Sequence, residues 1–181
     1  MSDWKTQNIV SREVIHSIGK QIILDSTKID QLIELASLNE RKRIRFCAHE
    51  SPLEDVHEMF IVHPCGAYVR PHRHLNKIES MLVLKGKVDY VVFNGDGSIR
   101  KVIKMGDLSS GKMFYNSLRA PIYHTLLIRS EWLVFLETTK GPFDKKDSSF
   151  PDWSPNEEDK QAVAKYLNDL EREIKNGSLY T

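Results

Sequence analysis

His72 and His74 stand one residue apart, and Glu79 follows five residues later. On a β-strand, side chains at i and i+2 point to the same face. Both imidazoles therefore converge, and a short turn brings the carboxylate beside them. Nitrogen and carboxylate donors together suit a borderline or hard divalent metal. One divalent transition metal, Zn, Fe, Mn, Ni or Co, is the cofactor this spacing predicts. With an open coordination position such a metal polarises a carbonyl or hydroxyl, steadies an enediolate or generates hydroxide near neutral pH. A redox-active iron would also activate dioxygen.

Short β-rich runs must hold these residues. From about residue 59 to 137 such runs alternate with turn signals, the pattern of an all-β sandwich or barrel. A hairpin is predicted where 87–93 and 99–105 flank Asn94-Gly95-Asp96-Gly97, residues that tolerate the positive φ of a tight reversal. Further strands are expected at 112–116, 123–128 and 133–137. Over 41–49 the period is two, with Arg41, Arg43, Arg45, Cys47 and His49 on one face. Before it, Ile29, Leu32, Ile33, Leu35 and Ala36 recur at helical spacing after a cap at Ser26 or Thr27. At the other end Ser154-Pro155-Asn156-Glu157 reads as a capping box with proline at the first helical position. The helix it opens carries Ala162, Val163, Tyr166, Leu167, Leu170 and Ile174 as an apolar stripe. Gly177 is its stop, and the remaining residues are expected to fray.

Composition bounds the rest. The 181 residues suit one domain with one core, divided into an N-terminal strand and helix segment (1–40), a barrel (41–140) and a C-terminal segment with a helix (141–181). Twenty-six Lys and Arg against 25 Asp and Glu give a net charge of +1, so no global field favours nucleic acid or an anionic membrane. The N-terminus shows no apolar signal region and no run long enough to span a bilayer, which leads to a cytoplasmic expectation. Two cysteines, Cys47 and Cys65, are too few for a disulfide framework, and reduced thiols are expected.

The full spacing Gly66-x5-His72-x-His74-x4-Glu79-x6-Gly86 resembles the first motif of the cupins. That resemblance implies a mainly β protein, a double-stranded β-helix or jelly-roll barrel, here with a short N-terminal helix and a C-terminal one. It also implies a fourth ligand from a second motif, for which the candidate is His124 in Ala120-Pro121-Ile122-Tyr123-His124. The match there is partial, since Ile122 replaces the family's glycine and Ile128 its later asparagine. Cupins commonly form dimers, so a homodimer is implied, with the arginine strand able to cross to the neighbour.

From about 41 to 158 the chain also looks like the WbuC family of cupin-fold metalloproteins. Three blocks carry this: Arg41, Arg43 and Arg45 with His49; Tyr68-Val69-Arg70-Pro71-His72-Arg73-His74 with Lys77 and Glu79; and Gly141-Pro142-Phe143 with Trp153-Ser154-Pro155-Asn156-Glu157. That family is associated with bacterial surface-polysaccharide (O-antigen) gene clusters, and the resemblance supplies a pathway rather than a reaction.

Parity places Arg41, Arg43 and Arg45 with His49, and Tyr68 and Arg70 with His72 and His74, so the two sets could line one pocket. Guanidinium groups hold carboxylate or phosphate bidentately, which points to a small anionic, sugar-derived ligand such as a nucleotide sugar or sugar acid. The alternative for the arginines is ion pairing with surface acids. Tyr123 and His49 are the candidates for acid and base, with packing as the alternative for the tyrosines. Trp153 is expected to anchor the C-terminal segment. His16, His57 and His63 lack supporting spacing and read as structural. Three functions follow: a metal-dependent sugar isomerase or epimerase, an iron-dependent dioxygenase, or a metal-containing sugar-binding module without turnover.

Overall fold

The computed structural model describes residues 7–177. In chain order its elements are β1 (Gln7–Ser11), β2 (Val14–Ser17), α1 (Ser26–Ser37), β3 (Ile44–Cys47), β4 (Val56–Pro64), β5 (Arg73–His74), β6 (Glu79–Lys85), β7 (Lys87–Phe93), β8 (Ile99–Gly106), β9 (Tyr115–Leu118), β10 (His124–Ile128), β11 (Trp132–Lys140), β12 (Ser148–Ser149) and α2 (Lys160–Asn176). A seven-stranded sheet runs β1-β2-β3-β4-β11-β6-β9, a three-stranded sheet runs β10-β7-β8, and β12 pairs β5. The chain is mainly β, with one helix before the barrel strands and one after them.

Alternation along the strands creates three apolar layers. Between the sheets lie Met81, Val83, Val88, Tyr90, Leu126, Ile128, Leu133 and Phe135. The opposite face of the large sheet, with Ile15, Ile44, Phe46, Val62 and Val134, is covered by Leu32 and Ala36 of α1. The outer face of the small sheet, with Val91, Phe93 and Leu127, is covered by Leu170 of α2 and by Trp153, Tyr166 and Leu167 around it. Each helix thus buries the stripe its 3.6-residue period lays down.

Several local expectations shift. Helix α1 is capped by Asp25, whose carboxylate accepts the Lys28 N–H at 2.9 Å, so Ser26 is the first helical residue rather than the cap. Helix α2 starts after Asp159, which accepts the Ala162 N–H at 2.9 Å. Ser154 does not cap it, because its hydroxyl is already used: it donates to the Pro151 carbonyl and accepts from Arg70 Nε. The helix ends at Asn176 with Gly177 as its cap, and the residues expected to fray lie outside those described. The strand expected over 41–49 contracts to 44–47, since Lys42 turns at a φ of 48° with its N–H bonded to the Asn39 carbonyl. The strand expected at 112–116 begins only at Tyr115, after a left-handed turn at Gly111.

The hairpin forms with β7 and β8 around 94–98, where Gly97 has a φ of 92°. A Cβ there would also lie 2.9 Å from the Trp153 ring. That indole donates to the Gly95 carbonyl and packs on Phe93, Tyr123 and Tyr166, so it pins the C-terminal segment to the hairpin.

Glu13, in the β1–β2 turn, ties the N-terminal hairpin to the barrel. It accepts from Arg41 Nε at 2.9 Å and Arg43 Nε at 3.2 Å, and both arginines also reach Glu157. Burial would raise the Glu13 carboxyl, but the two guanidinium groups outweigh it and hold it below the usual range. A lowered carboxyl contributes stability above its unfolded pKa and loses it as pH falls through its folded one. Glu13→Gln is therefore expected to cost about 1 kcal/mol at pH 7 in urea unfolding. The difference from wild type should vanish once the pH drops well below the ordinary glutamate value of about 4.3; an equal cost at both pH values would contradict the ion-pair account.

Candidate metal centre

His72 and His124 meet across the gap between the two sheet edges. Their backbones form a reciprocal pair, the His72 N–H on the His124 carbonyl at 3.1 Å and the His124 N–H on the His72 carbonyl at 2.9 Å. That pairing brings the rings to 4.5 Å between centroids. His74 lies on β5, Glu79 opens β6, and His124 opens β10. One donor atom from each of His72, His74, Glu79 and His124 lies within 4.8 Å of the other three. Glu79 Oε2 is 2.7 Å from His74 Nε2, and Oε1 is 3.5 Å from His124 Nε2.

The rings are oriented from behind. His72 Nδ1 faces the Arg70 carbonyl at 2.8 Å, His124 Nδ1 the Ile122 carbonyl at 3.0 Å, and His74 Nδ1 the Ser148 hydroxyl at 3.3 Å. A carbonyl can only accept, so the first two imidazoles carry their proton on Nδ1 and keep the Nε2 lone pair for a metal, the usual arrangement around a ligated ion. Tyr90 stacks flat on the His124 ring at 5.2 Å. Burial, and then the neighbouring His124, lowers His72 to about 4, so it is neutral at pH 7. Burial alone would raise Glu79, yet its contacts with His124 and His74 hold its carboxyl far below the usual range. A buried carboxylate among imidazole nitrogens fits a divalent transition metal, and these four residues would hold it.

The group opens through His74 onto a cavity of about 240 Å³. The register of the large sheet builds its wall. Across one row, His16 pairs Cys47, Cys47 pairs Met59, Met59 pairs Glu137 and Glu137 pairs Met81. In the next row His57 pairs Thr139, which pairs Glu79. Arg45, His49 and Lys77 complete the charged and titratable lining. Lys77 sits 3.7 Å from Asp147 and over the Phe143 ring.

Of the residues singled out from sequence, His49 and Arg45 line this cavity with His74. Arg41 and Arg43 do not: the turn at Lys42 takes Arg41 out of the strand, and both arginines engage Glu13 and Glu157 beside a different cavity, which Arg45 and His63 also line. Tyr68 and Arg70 also point elsewhere. Residues 67–70 form no strand, so the parity that aligned them with the histidines does not apply. Tyr68 donates to the Pro155 carbonyl at 2.9 Å, and Arg70 reaches Ser154 and the Phe150 ring. Tyr123 precedes His124 by one residue and so faces the opposite side of β10, under the Arg73 guanidinium and against Trp153.

The cavity adds residues that sequence reasoning passed over. Glu137 ends the apolar parity Leu133, Phe135, Glu137, and a carboxylate there is a signal the sequence does contain. Burial, and then the Glu79 charge, pushes the Glu137 carboxyl up against the opposing pull of Arg45 and Lys77. His49 is lowered to about 4 by burial and then by His57, whose ring stacks on it at 4.1 Å. Cys47 and Cys65 are both free thiols.

Comparisons with known proteins agree with this architecture. Protein SO0799 from Shewanella oneidensis superposes with a TM-score of 0.51 at 13% identity, over 67% of this chain and 82% of that one. The capsular polysaccharide assembling protein CapF from Staphylococcus aureus superposes with a TM-score of 0.50 at 15% identity, over 63% of this chain and 30% of that one. The chain has the cupin fold. Bacillus subtilis oxalate decarboxylase, described with Mn(II) centres, gives a TM-score of 0.43 at 21% identity over 54% of this chain. The chain spans about a quarter of the decarboxylase, 24% of its length. A family model described as a domain of unknown function (DUF6016) matches residues 24–105. No curated protein matches. Among the described residues, no helix is long and apolar enough to cross a membrane.

Glu79→Gln keeps the shape and removes the charge. It is expected to weaken metal retention by at least the roughly 10–100-fold that loss of an outer partner already costs, read by competition with a chelator. Retention equal to wild type would exclude Glu79 as a ligand.

Proposed function

We propose that this cupin is a metal-dependent enzyme acting on an anionic, carbohydrate-derived substrate, a sugar acid or nucleotide sugar of surface-polysaccharide biosynthesis, by isomerisation or epimerisation. The observation that carries this is Glu137. It is a carboxyl that lines the cavity His74 enters, pushed toward its protonated form chiefly by burial, with Arg45 and Lys77 lining the same cavity. A carboxyl raised by burial takes and returns a proton near neutral pH. When bound at His72, His74, Glu79 and His124, a divalent cation supplies the Lewis acidity that stabilises charge on a substrate oxygen.

Arg45 and Lys77 bind the anionic group, Arg45 with its planar fork and Lys77 as a point charge. A cavity of about 240 Å³ falls below the roughly 300–1,000 Å³ of pockets for drug-sized ligands. It admits the reacting sugar or sugar acid and leaves any nucleotide outside. The polysaccharide setting rests on the WbuC-like blocks, and the same fold serves capsular polysaccharide assembly in CapF.

The test is deuterium wash-in followed by NMR, with metal-loaded protein and a panel of nucleotide sugars and sugar acids in D₂O. Exchange at the carbon beside a carbonyl is expected. Glu137→Gln should slow it by about 10²-fold or more while leaving metal content intact, and Arg45→Leu should raise KM more than it lowers kcat. Oxygen uptake with iron and no exchange would replace this reading with a dioxygenase. Ligand binding without conversion by either protein would make it a binding module.

A further inference from the structure

A second group of metal-ligating side chains lies apart from the first. His16, Cys47 and His49 each offer a donor atom, and the three atoms lie within 4.8 Å of one another. Nothing in the spacing of the chain joins them, because His16 is 31 positions before Cys47 in the sequence. The parallel pairing of β2 with β3 sets His16 directly beside Cys47, while Ile15 and Phe46 of the same strands turn to the α1 side. His49 follows Cys47 by two residues and lines the same cavity.

We propose that His16, Cys47 and His49 form a second metal site, a thiolate and two imidazoles that take Zn²⁺ on the cavity wall. The donor set is softer than that of the His72 group, and thiolate with imidazole is the combination that selects zinc or another thiophilic cation over a hard one. Both imidazoles are oriented as ligands are elsewhere in this molecule. His16 Nδ1 lies 3.3 Å from the His49 carbonyl, and His49 Nδ1 lies 3.3 Å from the Glu58 carbonyl. Each ring therefore keeps its proton on Nδ1 and leaves Nε2 as a donor, the device already seen at His72 and His124.

The surroundings favour a bound cation over an empty apolar corner. Cys47, His49 and His57 are almost wholly buried, at 1%, 6% and 3% exposure, with Arg45 as the side-chain partner of Cys47, and buried polar groups ordinarily have partners for their lone pairs. His57 holds the His49 ring by a parallel stack 8° from coplanar, and its own Nε2 is buried with no hydrogen-bond partner. Metal entry takes the proton from the Cys47 sulfur and releases it to solvent, and a Zn–S and two Zn–N bonds form. In a tetrahedral site with Zn–N of about 2.0 Å and Zn–S of about 2.3 Å, three protein donors leave the fourth position to face the cavity. Zinc there would stand on the same cavity as the His72 group and offer an anionic substrate a second electrophile.

The test separates the two sites. Cys65 is exposed, so Cys65→Ser leaves Cys47 as the sole thiol without touching either group. Titrated with Co²⁺ as a spectroscopic stand-in for zinc, this protein should develop a thiolate-to-cobalt charge-transfer band in the near ultraviolet. The band should persist in Glu79→Gln, disappear in Cys47→Ser, and require at least about tenfold more Co²⁺ in His16→Gln. His16 is only half-buried, so that variant keeps the test informative if Cys47→Ser fails to fold. No band in the Cys65→Ser protein, or a band whose cobalt dependence His16→Gln does not change, would overturn the proposal. A band without metal at the His72 group would sustain it while removing the reading of that other site.

Discussion

Two backbone hydrogen bonds between His72 and His124 hold together the parts of the chain that form the candidate metal centre. They are reciprocal, of ordinary length, and join segments more than fifty residues apart in the sequence, at the point where strand β10 of the small sheet meets the loop leading into β5. Without them the first motif would be a pair of histidines on a short strand, since β5 is only two residues long and, among the described residues, pairs with β12 alone. With them, the His72 ring is set against His124, and Glu79, on the next strand of the large sheet, closes the group. The cost of burying the Glu79 carboxylate is offset by His74 and His124 beside it.

The same economy of register shapes the cavity wall. Alternation along β3, β4 and β11 sends one set of side chains to α1 and the other to the space beside the His72 group. Ile44 and Phe46 go to the helix while Arg45 and Cys47 go to the cavity, and Val134 goes to the helix while Phe135 and Glu137 face inward. Neither surface can be altered by a one-residue slip without exchanging apolar core for titratable groups. The packing of α1 thus maintains the polar wall from behind. Arg41, Arg43, Tyr68 and Arg70 contribute at one remove: they fasten the 153–157 segment and the N-terminal hairpin to the barrel.

Much of this was legible in the chain because it depends on short-range periodicity. A His-x-His pair on extended backbone converges whatever else the protein does, and the hairpin at 94–97 follows from residues that accept positive φ. The apolar stripes of both helices follow from a 3.6-residue period. Parity was reliable only where the chain is truly extended. It failed at Arg41, where Lys42 reverses the backbone, and at Tyr68 and Arg70, where no strand forms. It misled at Ser154, whose side chain looked like a cap until a tertiary hydrogen bond claimed it.

The sequence by itself determined the His72, His74 and Glu79 spacing, the β-rich order of elements and the two amphipathic helices, because each is set by neighbours a few residues apart. Tertiary structure decided that His124, expected only through the cupin resemblance, meets them in space, that Glu137 faces the cavity rather than solvent, and that His16 lies beside Cys47. Those placements come from strand pairing across dozens of residues, the parallel β2–β3 register above all, and no local propensity encodes which strand will be a partner or in which register.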